Sequence, residues 1–128
     1  MTTILICAFI AALLPYLAKA PVAYAMQKDG GYDNNHPRAQ QARLTGFGAR
    51  ALAAHQNSFE SLLIFALAIA VVLATNNIGS TVQTLAVIYI IARVFFCIFY
   101  YLNIDKLRSL VWLVSLLCPL AMIWLSIP

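Results

Sequence analysis

Residues able to do chemistry are few in this chain, and they gather in two places. In the stretch RALAAHQNSFESLLIFALAI, residues 50–69, Arg50, His55, Asn57 and Glu60 sit directly against an apolar run, with no turn residue between. Arg93 interrupts a second apolar segment, Tyr100 follows it, and Arg108 comes after a short turn. On a helix, Arg43, Gly46, Arg50, Ala53, Asn57 and Glu60 share one stripe roughly 100° wide. Arg93, Phe96, Cys97 and Tyr100 form a second stripe at i, i+3, i+4 and i+7. Such a wall carries more positive than negative charge. It would suit a polar anionic ligand whose other reactant arrives from lipid.

The elements that position these residues follow from composition. Of 128 residues, 63% are hydrophobic and 9% charged, with a mean hydropathy of +0.87. Soluble domains are about 45–50% apolar and about 25% charged, so this chain belongs in a bilayer. No charged residue lies between Glu60 and Arg93, and none follows Arg108. Both stretches exceed the roughly 18 apolar residues that mark a spanning helix. The pattern predicts an all-α integral membrane protein, a single small domain of four transmembrane helices at about 2–26, 37–75, 81–102 and 106–126. Pro15 and Pro21 should kink the first. Lys19 and Pro21 stand where a signal peptide would have its small-residue cleavage site, so the segment reads as a retained span. The second helix starts at Pro37, a favourable first-turn residue. It outruns the hydrocarbon core and should protrude from the membrane.

Depth gives the polar residues their interest. Glu60 lies roughly 22 Å down the second helix from its outer end, and Arg93 roughly 21 Å down the antiparallel third. Opposite charges at one depth should pair or face water, because an unpaired charge there costs a few kcal/mol or more. A pair of this kind either fixes helix register or shapes a ligand site, and the residues alone leave both open. His55 lies roughly 140° from Arg50 around the helix, which favours a structural or subunit-contact role. Basic residues cluster in the loop before the second helix and its flanks, and again at Lys106 and Arg108. The positive-inside rule therefore places loops 1–2 and 3–4 in the cytoplasm and both termini outside. The same rule accounts for most of the net charge of +4, and no aromatic-basic interleaving suggests nucleic-acid binding. Cys7, Cys97 and Cys118 are scattered through apolar segments without metal-ligand spacing, and two histidines make a metal site a poor reading. The short GFG at 46–48 reads as a close helix contact rather than a nucleotide loop.

RALAAHQNSFESL resembles the second-helix signature of the MAPEG family, membrane-associated proteins in eicosanoid and glutathione metabolism. The stretch ARVFFCIFYYLNIDKLRSLVW is similar to the family's second signature, an Arg followed seven residues later by Tyr and then Leu-Arg-Ser. With DNNHPRAQ ahead of the second helix, the resemblance covers nearly the whole chain, and it is nearest the short, bacterial-type branch. It implies a homotrimer in the bacterial inner membrane, with sites between subunits near the cytoplasmic face. It implies glutathione as co-substrate and a lipophilic small molecule as its partner. Carried over residue by residue, Arg50, Asn57, Glu60, Arg93 and Tyr100 would hold glutathione, and Arg108 would be the catalytic, thiolate-stabilising arginine. The chain departs from the pattern at Ala53 and Gln56, where several glutathione-using members carry arginines, and at Phe96, where some carry His. Two functions compete: a glutathione transferase or peroxidase acting on lipophilic electrophiles, and a non-catalytic scaffold binding a lipid, an anionic metabolite or a protein partner. A small transporter is a weaker third, since one Glu–Arg pair without broken helices gives no substrate path.

Overall fold

The computed structural model describes every residue from Met1 to Pro128. It contains six helices and no strand: α1 (Thr2–Leu17), α2 (Lys19–Lys28), α3 (Pro37–Ala42), α4 (Gly46–Ala74), α5 (Ser80–Tyr101) and α6 (Asp105–Trp124). α1 and α2 run on as a single segment of 27 residues, and with α4, α5 and α6 they make four segments long and apolar enough to cross a membrane. The chain is an all-α integral membrane protein built as a four-span bundle.

The first span is interrupted at Ala18, between Pro15 inside α1 and Pro21 in the first turn of α2. Neither proline has an N–H to give the preceding turn, so the backbone bonds fail locally. Ala18 keeps right-handed helical angles, and the two pieces together make one span, Thr2–Lys28. The Pro15 carbonyl accepts a hydrogen bond from His55 Nδ1 at 2.7 Å, which ties α1 to α4. A carbonyl can only accept, so Nδ1 carries the proton.

The second span differs from the expected helix over residues 37–75. The chain leaves the helix after Ala42, extends at Thr45 and re-enters at Gly46, whose φ of +56° is a left-handed value that glycine adopts without strain. Gly48 has a separate job: a Cβ there would meet Ala25 Cβ at 3.1 Å and Leu44 Cβ at 3.2 Å. The glycine pair thus supplies one backbone turn and one close approach of α2 to α4. Ahead of the break, the fully buried Gln40 organises the polar loop. Its amide nitrogen donates to the Met26 carbonyl at 2.9 Å and the Gly31 carbonyl at 2.8 Å, and its oxygen accepts from the Asp33 N–H at 2.8 Å.

The core lies where α1, α4, α5 and α6 meet. Ile4, Ala11, Ala68, Val72, Ala86, Cys118 and Met122 fill it. Phe65 and Tyr89 stack at 3.9 Å between ring centroids, and the Tyr89 hydroxyl meets Ser61 Oγ at 3.0 Å. Small residues at the crossings, among them Ala11, Ala51, Ala54 and Ala92, are all buried and let the backbones approach. Only 28 of 128 residues are buried, so most apolar side chains, such as Leu63 and Trp124, face outward as lipid-solvated helices require. α5 and α6 make the most extensive helix pair, and that pair carries most of the residues discussed next.

Candidate functional site

Arg93 is the centre of a three-helix polar junction. It stands on α5 with 2% of its surface exposed. Its Nη2 donates to Asn57 Oδ1 on α4 at 3.0 Å, and its Nη1 reaches Ser115 Oγ on α6 at 3.4 Å. The Ser115 hydroxyl donates in turn to the Trp112 carbonyl at 2.8 Å. Asn57 faces two ways, since its amide nitrogen also donates to Glu60 Oε2 at 3.0 Å. Of the two arrangements expected, pairing or facing water, Glu60 takes the exposed one at a cavity wall, and its link to Arg93 is a relay through Asn57. The ion pairs of the chain are His36–Asp33 and Arg43–Asp29, and Glu60 and Arg93 are not among them. The reason is burial: Arg93 points into the bundle while Glu60 stays exposed, and Asn57 spans the gap.

From Arg93 a ladder of rings and cations runs along α5 toward the end of the bundle that carries the basic loops. The guanidinium of Arg93 lies 4.2 Å from the Phe96 ring centroid. Phe96 meets Tyr100 edge-on at 5.3 Å. The guanidinium of Arg108, in the first turn of α6, lies 4.3 Å from the Tyr100 ring. Arg108 is half-buried and has no carboxylate partner. Cation–π contacts of this kind contribute about 0.5–2 kcal/mol and hold the cation in a fixed orientation.

Two open cavities flank this ladder. One, of about 190 Å³, is lined by Asn57, Phe96, Tyr100, Arg108, Ser109 and Trp112. The other, of about 200 Å³, is lined by Glu60, Ser61, Ile64 and Ser115 among others, and shares Asn57 and Trp112 with the first. Each is smaller than the roughly 300–1,000 Å³ of ordinary ligand sites. Together they form a groove between α4 and α6, polar where Arg108 and Glu60 line it and apolar toward Ile64 and Leu116.

Of the residues singled out from sequence, Asn57, Glu60, Tyr100 and Arg108 line the groove, and Arg93 supports it from beneath. Arg50 is elsewhere. Its Nη2 reaches the Tyr101 carbonyl at 3.5 Å, and its Nε is buried without a hydrogen-bond partner. It closes the C-terminus of α5, where carbonyls lack intrahelical donors and the dipole favours a cation. The helical stripe was sound arithmetic, but α5 meets α4 beneath Arg50 whereas α6 lies opposite Glu60. Arg43 falls outside α4 altogether and binds Asp29 at 3.1 Å. His55 is held by Pro15 and by an edge-on contact with Phe59 at 5.4 Å, in keeping with its structural reading. Sequence reasoning passed over Trp112 and Ser115. The spacing Arg108, Trp112, Ser115 at i, i+4, i+7 was the signal that could have found them.

Among curated proteins and among solved structures, none matches the chain significantly. The family model described as MAPEG family matches residues 3–128, essentially the whole chain. A match of that length, joined to four spans and a polar junction built from both signature stretches, places the chain in the MAPEG family.

Proposed function

We propose that this protein is a membrane glutathione transferase or peroxidase acting on lipophilic electrophiles. The observation that carries the reading is Arg108: a half-buried guanidinium, oriented by Tyr100, without a carboxylate, at the wall of a groove. A cation so placed lowers the pKa of a thiol beside it and raises the thiolate fraction near pH 7. The tripeptide's carboxylates would face the polar end of the groove, near Arg108 and the amide of Asn57, and its amine would face Glu60. The thiolate sulfur then forms the new bond to an electrophilic carbon, and the displaced group leaves with its electron pair. The apolar side toward Ile64 and Leu116 opens the route by which a lipophilic substrate would enter from the bilayer.

The groove is small and open on one subunit, which supports a site completed by a neighbour in a homotrimer. The basic loops support a cytoplasmic position for it, with both termini outside and the bacterial inner membrane as its setting. A second reading rests on Ala53, Gln56 and the diversion of Arg50 to Tyr101. With fewer cations free for carboxylates, the scaffold would hold a lipid, an anionic metabolite or a protein partner without turnover.

Thermal unfolding of the detergent-purified protein with increasing glutathione separates the two. Saturation at 100 times the dissociation constant adds about 2.7 kcal/mol. Arg108→Ala should then keep the trimer and lower turnover about 10- to 150-fold, the equivalent of one charged hydrogen bond of about 1.5–3 kcal/mol. No stabilisation at millimolar glutathione, or unchanged turnover in Arg108→Ala, defeats the enzyme reading.

A further inference from the structure

Ser58, Thr84 and Ser115 each donate to a carbonyl in the preceding turn of their own helix, a common fate of a hydroxyl inside a helix. Ser61, on α4, makes no such bond. Its hydrogen-bond partner is the Tyr89 hydroxyl of α5, at 3.0 Å. Tyr89 is 2% exposed, its ring stacks flat on Phe65, and its hydroxyl has no other partner. Two hydroxyls thus share one bond, which leaves one O–H without an acceptor. A buried donor without an acceptor is costly, so Tyr89 donates its hydrogen bond to Ser61 Oγ. The free O–H is then that of Ser61, which is half-buried and lines the cavity shared with Asn57, Glu60 and Trp112. Glu60 takes its hydrogen bond from Asn57 and makes none with Ser61.

The place of this donor narrows what it serves. Asn57, Ser61 and Ile64 line the cavity at i, i+4 and i+7 of α4. Ser61 therefore stands about 6 Å beyond Asn57 along the helix axis, between the polar relay and the apolar end at Ile64 and Leu116. Arg108 lines the adjoining cavity, which meets this one at Asn57 and Trp112. A substrate entering over Ile64 and Leu116 passes Ser61 before it reaches the cation. An oxygen bound at Ser61 and a carbon attacked beside Arg108 lie on opposite sides of that junction. An epoxide, whose oxygen is bonded to the reacting carbon, fits this separation poorly. An α,β-unsaturated carbonyl compound fits it well, because its conjugated chain places two atoms between the reacting carbon and the oxygen.

We propose that Ser61, oriented by Tyr89, binds the carbonyl oxygen of α,β-unsaturated aldehydes and ketones with an alkyl tail, and so selects them among lipophilic electrophiles. The proposal rests on the glutathione reading of the groove. The thiolate sulfur adds to the β-carbon, and the displaced π electrons move through the α-carbon onto the carbonyl oxygen. Ser61 donates a hydrogen bond to that oxygen as its charge grows. Water then protonates the α-carbon, and no group leaves. The test compares glutathione conjugation of trans-2-nonenal and of benzyl chloride, which carries no oxygen, by the purified protein. Loss of one hydrogen bond to a charged oxygen should lower the nonenal-to-benzyl chloride ratio of kcat/KM about 10- to 150-fold in Ser61→Ala. Ser61→Thr, which keeps the hydroxyl, should keep most of the ratio. Tyr89→Phe leaves the ring to stack on Phe65 but removes the hydroxyl that orients Ser61, and it should lower the ratio as well. An unchanged ratio in Ser61→Ala overturns the proposal, even where both rates fall together. An equal loss with 1,2-epoxynonane keeps the donor and overturns the choice of carbonyl substrates. Should Ser61→Ala fail to fold, Tyr89→Phe decides on the same ratio. A wild type that conjugates benzyl chloride but not nonenal overturns this proposal alone, and one that conjugates neither overturns the glutathione reading with it.

Discussion

Asn57 offers the sharpest test of the polar junction, because the geometry gives it a task that neither charged neighbour can do. Asn57→Ala removes the acceptor at 3.0 Å from Arg93 Nη2 and the donor at 3.0 Å from Glu60. Arg93 keeps only the longer contact to Ser115 at 3.4 Å and the face of Phe96. A hydrogen bond to a charged group contributes about 1.5–3 kcal/mol in soluble proteins. Interhelical bonds in membranes average about 0.6 and reach about 1.7 kcal/mol. The part-buried bond to Arg93 belongs near the upper membrane value, and the exposed bond to Glu60 adds less, so the loss should be about 1.5–2.5 kcal/mol. At this chain length one kcal/mol moves Tm by about 3–4 °C. The expected fall is therefore about 5–10 °C, read by tryptophan fluorescence, to which the groove residue Trp112 contributes. A double-mutant cycle then isolates the relay. Glu60→Gln and Arg93→Gln should be coupled in the wild type and uncoupled in Asn57→Ala. Equal coupling in both backgrounds would mean that Glu60 and Arg93 interact directly, and the relay would be refuted.

Other perturbations test the scaffold. Gly48→Leu pushes a side chain into Ala25 and Leu44, which a Cβ alone would already meet at 3.1 and 3.2 Å. It should cost about 1–3 kcal/mol in thermal unfolding, as overpacking does, while Gly48→Ala should cost less; equal stability of Gly48→Leu and wild type would show that α2 and α4 can separate freely. Gln40→Ala leaves the carbonyls of Met26 and Gly31 and the N–H of Asp33 without their partner. The α2–α3 loop should then loosen, and limited trypsin digestion should cut at Lys28 or Arg38 several times faster. An unchanged digestion rate would show that the loop is ordered by other contacts.

The residues by themselves determined the class of this protein and much of its plan. Membrane spans follow from runs of apolar side chains, since the bilayer rewards composition over about 20 consecutive residues whatever their partners. The polar residues that line or support the groove were legible for a related reason. A charge inside an apolar run is conspicuous because it costs so much to leave there. What required tertiary structure is everything decided between elements. The break at Arg43–Thr45 depends on how Gln40 gathers the loop and on Gly46 turning left-handed. Arg50 and Asn57 share a helical face, yet one meets the end of α5 and the other meets Arg93, because helices cross rather than run side by side. The matching depths of Glu60 and Arg93 were readable from residue counting; Asn57 as the bridge between them was not. Periodicity gives direction around a single helix, and only packing says which neighbour stands in that direction.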